Sequence, residues 1–261
     1  MESISAVIIT YNEEKNIERC LSSLKGIADE IIVVDSFSTD QTKSICLKNG
    51  ARFVEHVFEG HIQQKNFALS LANSSFILSL DADEALDETL INNIRKIKQN
   101  PEADVYSMNR LTNYCGKWIY HCGWYPDRKV RLIRKGFALW GGVNPHDELK
   151  YKEGAIKGHL EGNILHYSYS SIHQHIQQAN HFSGINANEW FEKGKKVSLM
   201  KVIFSPWIRF IRDYIVWGGF LDGYYGLVIC RISAHAAFLK YIKIRELWKQ
   251  HSQSSGFPKA T

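Results

Sequence analysis

Between residues 4 and 99 the chain alternates short apolar runs with amphipathic stretches, and few folds accept that pattern. The runs lie at residues 4–10, 30–35, 52–56 and 75–80. The first two are nearly unbroken Ile and Val, as expected of strands buried on both faces. Helical segments separate them. One begins at Asn12, with Asn12 as its cap, Glu13 and Glu14 in its first turn, and Ile17, Cys20, Leu21 and Leu24 on one face; Gly26 ends it. Another covers residues 41–49, capped by Asp40 or Thr39 and closed by Gly50. Further helices are expected over residues 61–72 and 87–99, the last stopped by Pro101. Strand and helix in alternation predict an α/β fold built on a parallel sheet covered on both faces.

Such sheets bind ligands beyond the carboxyl ends of their strands. The ends here are Thr10-Tyr11, Asp35 and Asp81-Ala82-Asp83, the last followed by Glu84. Alone, Asp81 and Asp83 are as well read as a solvated turn. Asp35 at an equivalent strand end favours a cation-and-phosphate site instead. The chain has neither Gly-x-Gly-x-x-Gly after the first strand nor Gly-x-x-x-x-Gly-Lys, which argues against a dinucleotide dehydrogenase and a P-loop kinase. Phosphate is then expected on a metal and on basic side chains.

Beyond Pro101 the segments 105–110, 114–120, 129–134 and 138–140 read as short strands. Cys122-Gly123-Trp124-Tyr125-Pro126 and Trp140-Gly141-Gly142 read as loops. Trp118, Trp124, Tyr125 and Trp140 suit either the core or sugar stacking. From Ser170 to about Lys249 the pattern is helical, and residues 250–261 read as a flexible tail. Lys195, Lys196, Lys201, Arg209, Arg212, Lys240, Lys243 and Arg245 interleave there with aromatic and aliphatic residues, which suits helices lying on an anionic inner leaflet. Packing against the catalytic domain or a second subunit is the plainer alternative. Asp222, Arg231 and His235 interrupt the most apolar stretch before it reaches spanning length. A formal charge of +5 permits an anionic partner without requiring nucleic acid, and none is expected. The 5 cysteines lack metal-knuckle spacing and no leader pattern opens the chain, so a cytoplasmic protein with reduced thiols is expected.

Four segments in order carry a resemblance: Val7-Ile8-Ile9-Thr10-Tyr11-Asn12-Glu13, Ile31 through Asp40, Gln64-Lys65-Asn66, and Leu80-Asp81-Ala82-Asp83-Glu84. Together they resemble the family 2 glycosyltransferases of the GT-A fold, which implies a Rossmann-like, mixed but mostly parallel sheet. His146-Asp147-Glu148-Leu149, His166-Tyr167-Ser168 and the segment from Phe220 to Gly226 look like the bacterial branch that includes lipopolysaccharide core β-1,4-glucosyltransferases. The resemblance implies a metal-dependent, inverting transfer, with glucose expected, from a UDP-sugar to a lipopolysaccharide core or other lipid-linked glycan. It implies Mg2+ or Mn2+ on Asp83, Asp81 near the ribose, and Thr10, Glu13 and Asp35 lining the nucleoside pocket. Tyr11 would pack against the base and Lys65 meet phosphate or base, although a solvated Lys65 is nearly as well supported. The catalytic base would be Asp147, with Glu148 beside it as the alternative. Residues 1–104 would then form the nucleotide-sugar half, 105–169 the acceptor half and 170–249 a membrane-associating helical extension that holds the enzyme at the inner face of the cytoplasmic membrane.

Asp40 is read as a cap only. His166 is read as a strand-end structural histidine before a metal ligand, and His146 equally as a loop histidine or an acceptor contact. Arg128 and Arg131 are candidate contacts to acceptor phosphate. A nucleotidyltransferase and a non-catalytic membrane-associated binding protein are the alternative functions.

Overall fold

The structure, a computed structural model, describes residues 1–143 and 146–255. The chain divides into two units. The first comprises Met1–Thr112 and Pro126–Ser168, the second Asn113–Tyr125 and the chain from Tyr169 onward.

The expected alternation runs through the first unit as β1 (Ile4–Thr10), α1 (Ile17–Ser23), β2 (Glu30–Asp35), α2 (Thr42–Lys48), β3 (Arg52–Glu55), α3 (His61–Leu71), β4 (Phe76–Asp81), β5 (Glu84–Leu86) and α4 (Glu88–Gln99). There follow β6 (Val105–Tyr114), β7 (Lys117–Ile119, in the second unit), β8 (Asp127–Arg134), β9 (Ala138–Val143), β10 (His146–Tyr151) and β11 (Lys157–Tyr169). The main sheet is mixed, in the order β3-β2-β1-β4-β8-β6-β11-β5. β3, β2, β1 and β4 are parallel, and β8 joins antiparallel between β4 and β6. Successive residues of the apolar runs serve opposite faces. Ala6, Ile8, Leu78 and Leu80 meet α1 and α4, while Val7, Ile32, Val34 and Ile77 meet α3, β9 and β10. Cores on both faces explain why the strands lack polar alternation.

Two local expectations change. Asn12 does not cap a helix: its backbone is left-handed (φ 53°), and its side-chain oxygen accepts from Thr39 N–H at 2.8 Å. It staples the turn after β1 to the turn after β2, and α1 starts only at Ile17. Trp140-Gly141-Gly142 is strand, not loop, with Gly142 opposite Asp147 and Trp140 opposite Leu149 in the β9–β10 ribbon. A Cβ on Gly141 would stand 3.0 Å from the outer methylenes of the Lys150 side chain across the ribbon.

In the second unit Ser171 and Ser198 cap α5 (Ile172–Glu192) and α6 (Leu199–Ile211) by accepting from Gln174 and Lys201 N–H. A π turn at Arg212–Val216 and a 3-10 turn at Gly219–Asp222 lead into α7 (Gly223–Ser255). α7 carries residues 250–255 of the expected tail as helix; the rest of that tail lies outside the described residues. The Phe220–Gly226 segment proves to be a structural clasp. Buried Asp222 accepts from the N–H groups of Tyr120 and His121, and a Cβ on Gly226 would lie 1.8 Å from the Gly219 carbonyl. All five cysteines are free thiols, four of them buried.

His175 is buried, with its Nδ1 2.9 Å from the Tyr114 hydroxyl. Burial pushes its pKa down to about 4. The unfolded chain therefore takes up this proton first as pH falls through ~6.5, whereas the folded chain resists until about 4. Stability is complete above that window and declines through it, by at most ~3 kcal/mol. Thermal melts at pH 7 and pH 5 should show this loss, and His175→Gln should flatten it. An equal pH slope in the variant would rule out His175 as the source.

Candidate active site

The parallel register does the first work. Thr10 lies opposite Asp35 and Ile9 opposite Asp81, so three neighbouring strands end in a row of polar groups. Thr10 and Asp35 are buried. Both Asp35 oxygens accept from Ser38, one from its N–H at 2.7 Å and one from its hydroxyl, which fixes the turn after β2. Tyr11 stands exposed at 58%. Glu13 accepts from the Asn16 amide at 2.8 Å; burial raises its pKa, and the Asp83 charge adds to that.

From Asp81 a chain of alternating charges runs through the unit. Lys65 on α3 is buried, with Nζ 3.0 Å from Asp81 and 2.8 Å from Asp147 on β10. Arg131 on β8, also buried, lies 3.3 Å from Asp81 and 2.9 Å from the fully buried Glu84. Arg110 on β6 approaches Glu84 at 3.6 Å and Asp127 at 2.8 Å. Trp140 lies beneath both cations, its ring 4.3 Å from Lys65 Nζ and 5.1 Å from the Arg131 guanidinium. Burial alone would raise the Asp81 pKa, but Lys65 and Arg131 outweigh it and hold the carboxyl well below its usual range. Lys65 is thus not solvated: it ties Asp81, at the end of β4, to Asp147 on β10. Arg131 is committed to Asp81 and Glu84 rather than standing free for an acceptor.

Asp83, just past β4, faces His166 on β11, whose Nε2 is 3.1 Å from its carboxylate. The antiparallel pairing of β5 with β11 sets this meeting by placing His166 opposite Glu84. Burial would lower the His166 pKa, and the Asp83 hydrogen bond raises it overall. Among the described residues no group of three His, Cys, Asp or Glu forms a ready-made metal cage. One carboxylate and one imidazole suit a cation that arrives with phosphate oxygens supplying its other ligands. Thr10 Oγ1, Arg131 Nε, Trp140 Nε1 and His166 Nδ1 are buried here without a partner among the described residues, polar atoms of the kind a bound ligand satisfies.

A cavity of about 590 Å³ opens beside this network, lined by Lys65, Asp81, Arg128, Arg131, Trp140 and Asp147 among others. Glu148 also lines it, more exposed and without an ion pair among the described residues. Strand alternation on β10 separates the two neighbouring acids, and only Asp147 engages Lys65. The side chain of His146 lies outside the described residues. Glu84 and Arg110 escaped sequence reasoning as site residues, because Arg131 and Asp127 come from segments distant in the chain, while Trp140 was read only as core or sugar-stacking.

Strand-end acids, a buried network of charges and a polar cavity thus lie together in the first unit. The match to a family model is specific: residues 5–147 fit Glycosyl transferase family 2, and the chain belongs to that family. It is 34% identical to an uncharacterized glycosyltransferase of Rickettsia typhi over 95% of this chain and 88% of the relative. It is 31% identical to the lipopolysaccharide core biosynthesis glycosyltransferase LpsC of Rhizobium meliloti over 92% of this chain and 91% of that one. A crystal structure of glucosyl-3-phosphoglycerate synthase from Mycobacterium tuberculosis, with Mn2+, UDP and glucosyl-3-phosphoglycerate, is similar at 25% identity, covering 43% of this chain and 44% of that one with a TM-score of 0.36. The protein is a glycosyltransferase, and the nucleotidyltransferase and non-catalytic alternatives fall with that.

Proposed function

We propose that the protein transfers a hexose, with inversion, from a UDP-sugar to a hydroxyl of a lipopolysaccharide-core or other lipid-linked glycan. The observation that carries this is the Lys65 bridge, which brings the donor-side Asp81 and the acceptor-side Asp147 onto one ammonium group. The nucleoside would lie over Thr10, Tyr11, Glu13 and Asp35, with the diphosphate toward Asp83. Asp83, with His166 beside it, would hold Mg2+ or Mn2+, which supplies charge stabilisation to the departing diphosphate. Asp147 takes the proton from the acceptor hydroxyl as its oxygen bonds to the anomeric carbon and the bond from that carbon to the diphosphate oxygen breaks. Lys65 keeps the Asp147 carboxylate oriented toward the cavity, and Arg128, exposed at its rim, is available to the acceptor. The LpsC relative supports the lipopolysaccharide acceptor. No described helix is long and apolar enough to cross a membrane, so we place the enzyme peripherally, at the inner face of the cytoplasmic membrane.

Calorimetric titration of UDP with and without Mn2+ tests the metal seat. Asp83→Ala is expected to abolish the metal-dependent part of UDP binding and leave the weak metal-free part. Unchanged Mn2+ dependence in the variant would sink the assignment. A donor screen with mass detection, using membrane lipid extract as acceptor, identifies the sugar.

A further inference from the structure

α6 packs inward through Val202, which is buried, yet Met200, Ile203, Phe204, Trp207, Ile208 and Ile211 are all exposed, Trp207 at 61% and Ile208 at 65%. Their spacing follows the helical repeat, so they form one stripe along the outer face. The stripe continues into the following turns through Ile215, Val216 and Leu221, each more than half exposed. A continuous apolar face on a helix of 13 residues, too short to span a bilayer, is the pattern of an interfacial helix.

The basic residues of this unit sort into two groups once their partners are known. Arg209 and Arg212 are committed to the buried Asp213. Lys243 is held 2.8 Å from the Asn180 carbonyl and from the Ser183 hydroxyl, and Arg245 donates to the Val197 carbonyl at 3.0 Å. Four further lysines converge on two indoles. Lys240, Lys195 and Lys201 place their ammonium groups 4.1, 4.9 and 5.1 Å from the Trp190 ring, and Lys196 stands 5.0 Å from Trp248. None of these four forms a salt bridge among the described residues. Glu189, which acts on Lys240, is engaged by Lys193. Burial lowers the Lys240 pKa, and Lys201 and Lys195 add to it against the pull of Glu189. Lys195, Lys201 and Lys240 repel one another, Glu189 offsets this only in part because it is shared with Lys193, and an anion seated among the lysines relieves the remaining cost.

We propose that the Lys195–Lys201–Lys240 cluster on Trp190, with Lys196 beside it, seats the phosphate headgroups of anionic lipids, and that the α6 stripe enters the same leaflet. The cluster adjoins the stripe, because Lys201 lies on α6 itself and Lys195 and Lys196 immediately precede that helix. Charge complementarity selects this occupant. A second copy of the chain would bring an identical cationic cluster, and an apolar protein partner would leave the lysines uncompensated. Lysine stems and indoles are suited to the headgroup layer, with apolar bodies inward and polar ends in water. This inference deepens the membrane-borne acceptor reading above and rests on it.

Co-sedimentation of the full chain with vesicles of phosphatidylcholine, alone or mixed with phosphatidylglycerol, tests the proposal. The protein is expected to favour the phosphatidylglycerol vesicles. Lys195→Gln, Lys201→Gln and Lys240→Gln combined should lower that affinity roughly 10- to 100-fold, toward the neutral-vesicle level. The corresponding triple Arg variant should retain it, and Lys243→Gln should change nothing. Trp207→Glu with Ile208→Glu should lose binding to both vesicle types. Wild-type affinity in the triple Gln variant, an equal loss in Lys243→Gln, or a lipid-free dimer buried through the stripe would overturn the proposal. So would inorganic phosphate, titrated alone, binding as tightly as the vesicles do. UDP-sugar hydrolysis without lipid, measured on the same samples, keeps the two readings apart. Turnover with lost vesicle preference removes the docking surface alone, and vesicle binding without turnover of any donor removes the donor assignment alone.

Discussion

Asp147→Asn should lower kcat by roughly 10²–10⁴-fold while UDP affinity and thermal stability stay close to wild type. The amide keeps the shape of the carboxylate but accepts no proton from the acceptor hydroxyl. The contact to Lys65 at 2.8 Å weakens from ion pair to hydrogen bond, and Asp81 at 3.0 Å still neutralises that ammonium group. Glu148→Gln, on the other face of β10 and without an ion pair among the described residues, should fall less than about tenfold, as removal of a binding contact does. A single-turnover assay with saturating UDP-sugar separates the two. If Glu148→Gln were the slower enzyme, the base would be Glu148 and Asp147 would be a positioning residue.

Lys65→Met should be the most destabilising change in the site. Its ammonium group is the shared partner of Asp81 and Asp147, and it is 7% exposed. Removing it leaves carboxylates facing one another with Arg131 alone to compensate, a loss of about 3–5 kcal/mol by the usual cost of breaking a buried pair. Lys65→Arg cannot reproduce the bridge, because a planar fork does not place one nitrogen between two acids as an ammonium group does. Both variants should lower the denaturation midpoint in urea and lose turnover together. If Lys65→Met unfolded at the wild-type midpoint, the bridge would carry no stability, and its only role would be to orient Asp147.

What could be read early was local. Thr10, Asp35 and Asp81 line up because each ends a short apolar run followed by a turn and a helix, and parallel strands built this way present their carboxyl ends together. The family motifs sit on those same ends, so the fold and the proposed donor-side residues came from one signal. Elsewhere a local signal misled. Asn12 resembled a helix cap, but its side chain found Thr39 across the turn instead. Trp140-Gly141-Gly142 resembled a loop because glycine marks turns more often than strands, yet β10 supplied the partner that made it a ribbon. Arg209 and Arg212 counted toward a basic membrane face until Asp213 was seen to hold both.

The sequence by itself determined the α/β order of residues 4–99, the acids at the strand ends and the family. Its warrant is short-range, because hydrophobic periodicity, caps and breakers act within a few residues of one another. Tertiary structure alone decided which charges meet. Lys65 finds Asp147, Arg131 finds Glu84, and Asp83 finds His166 only once β8 and β11 have joined the main sheet and β9 and β10 have formed their separate ribbon. A side chain's charge is written in the chain, but its partner is chosen by strand register between segments far apart in sequence, and burial then makes that choice costly to undo.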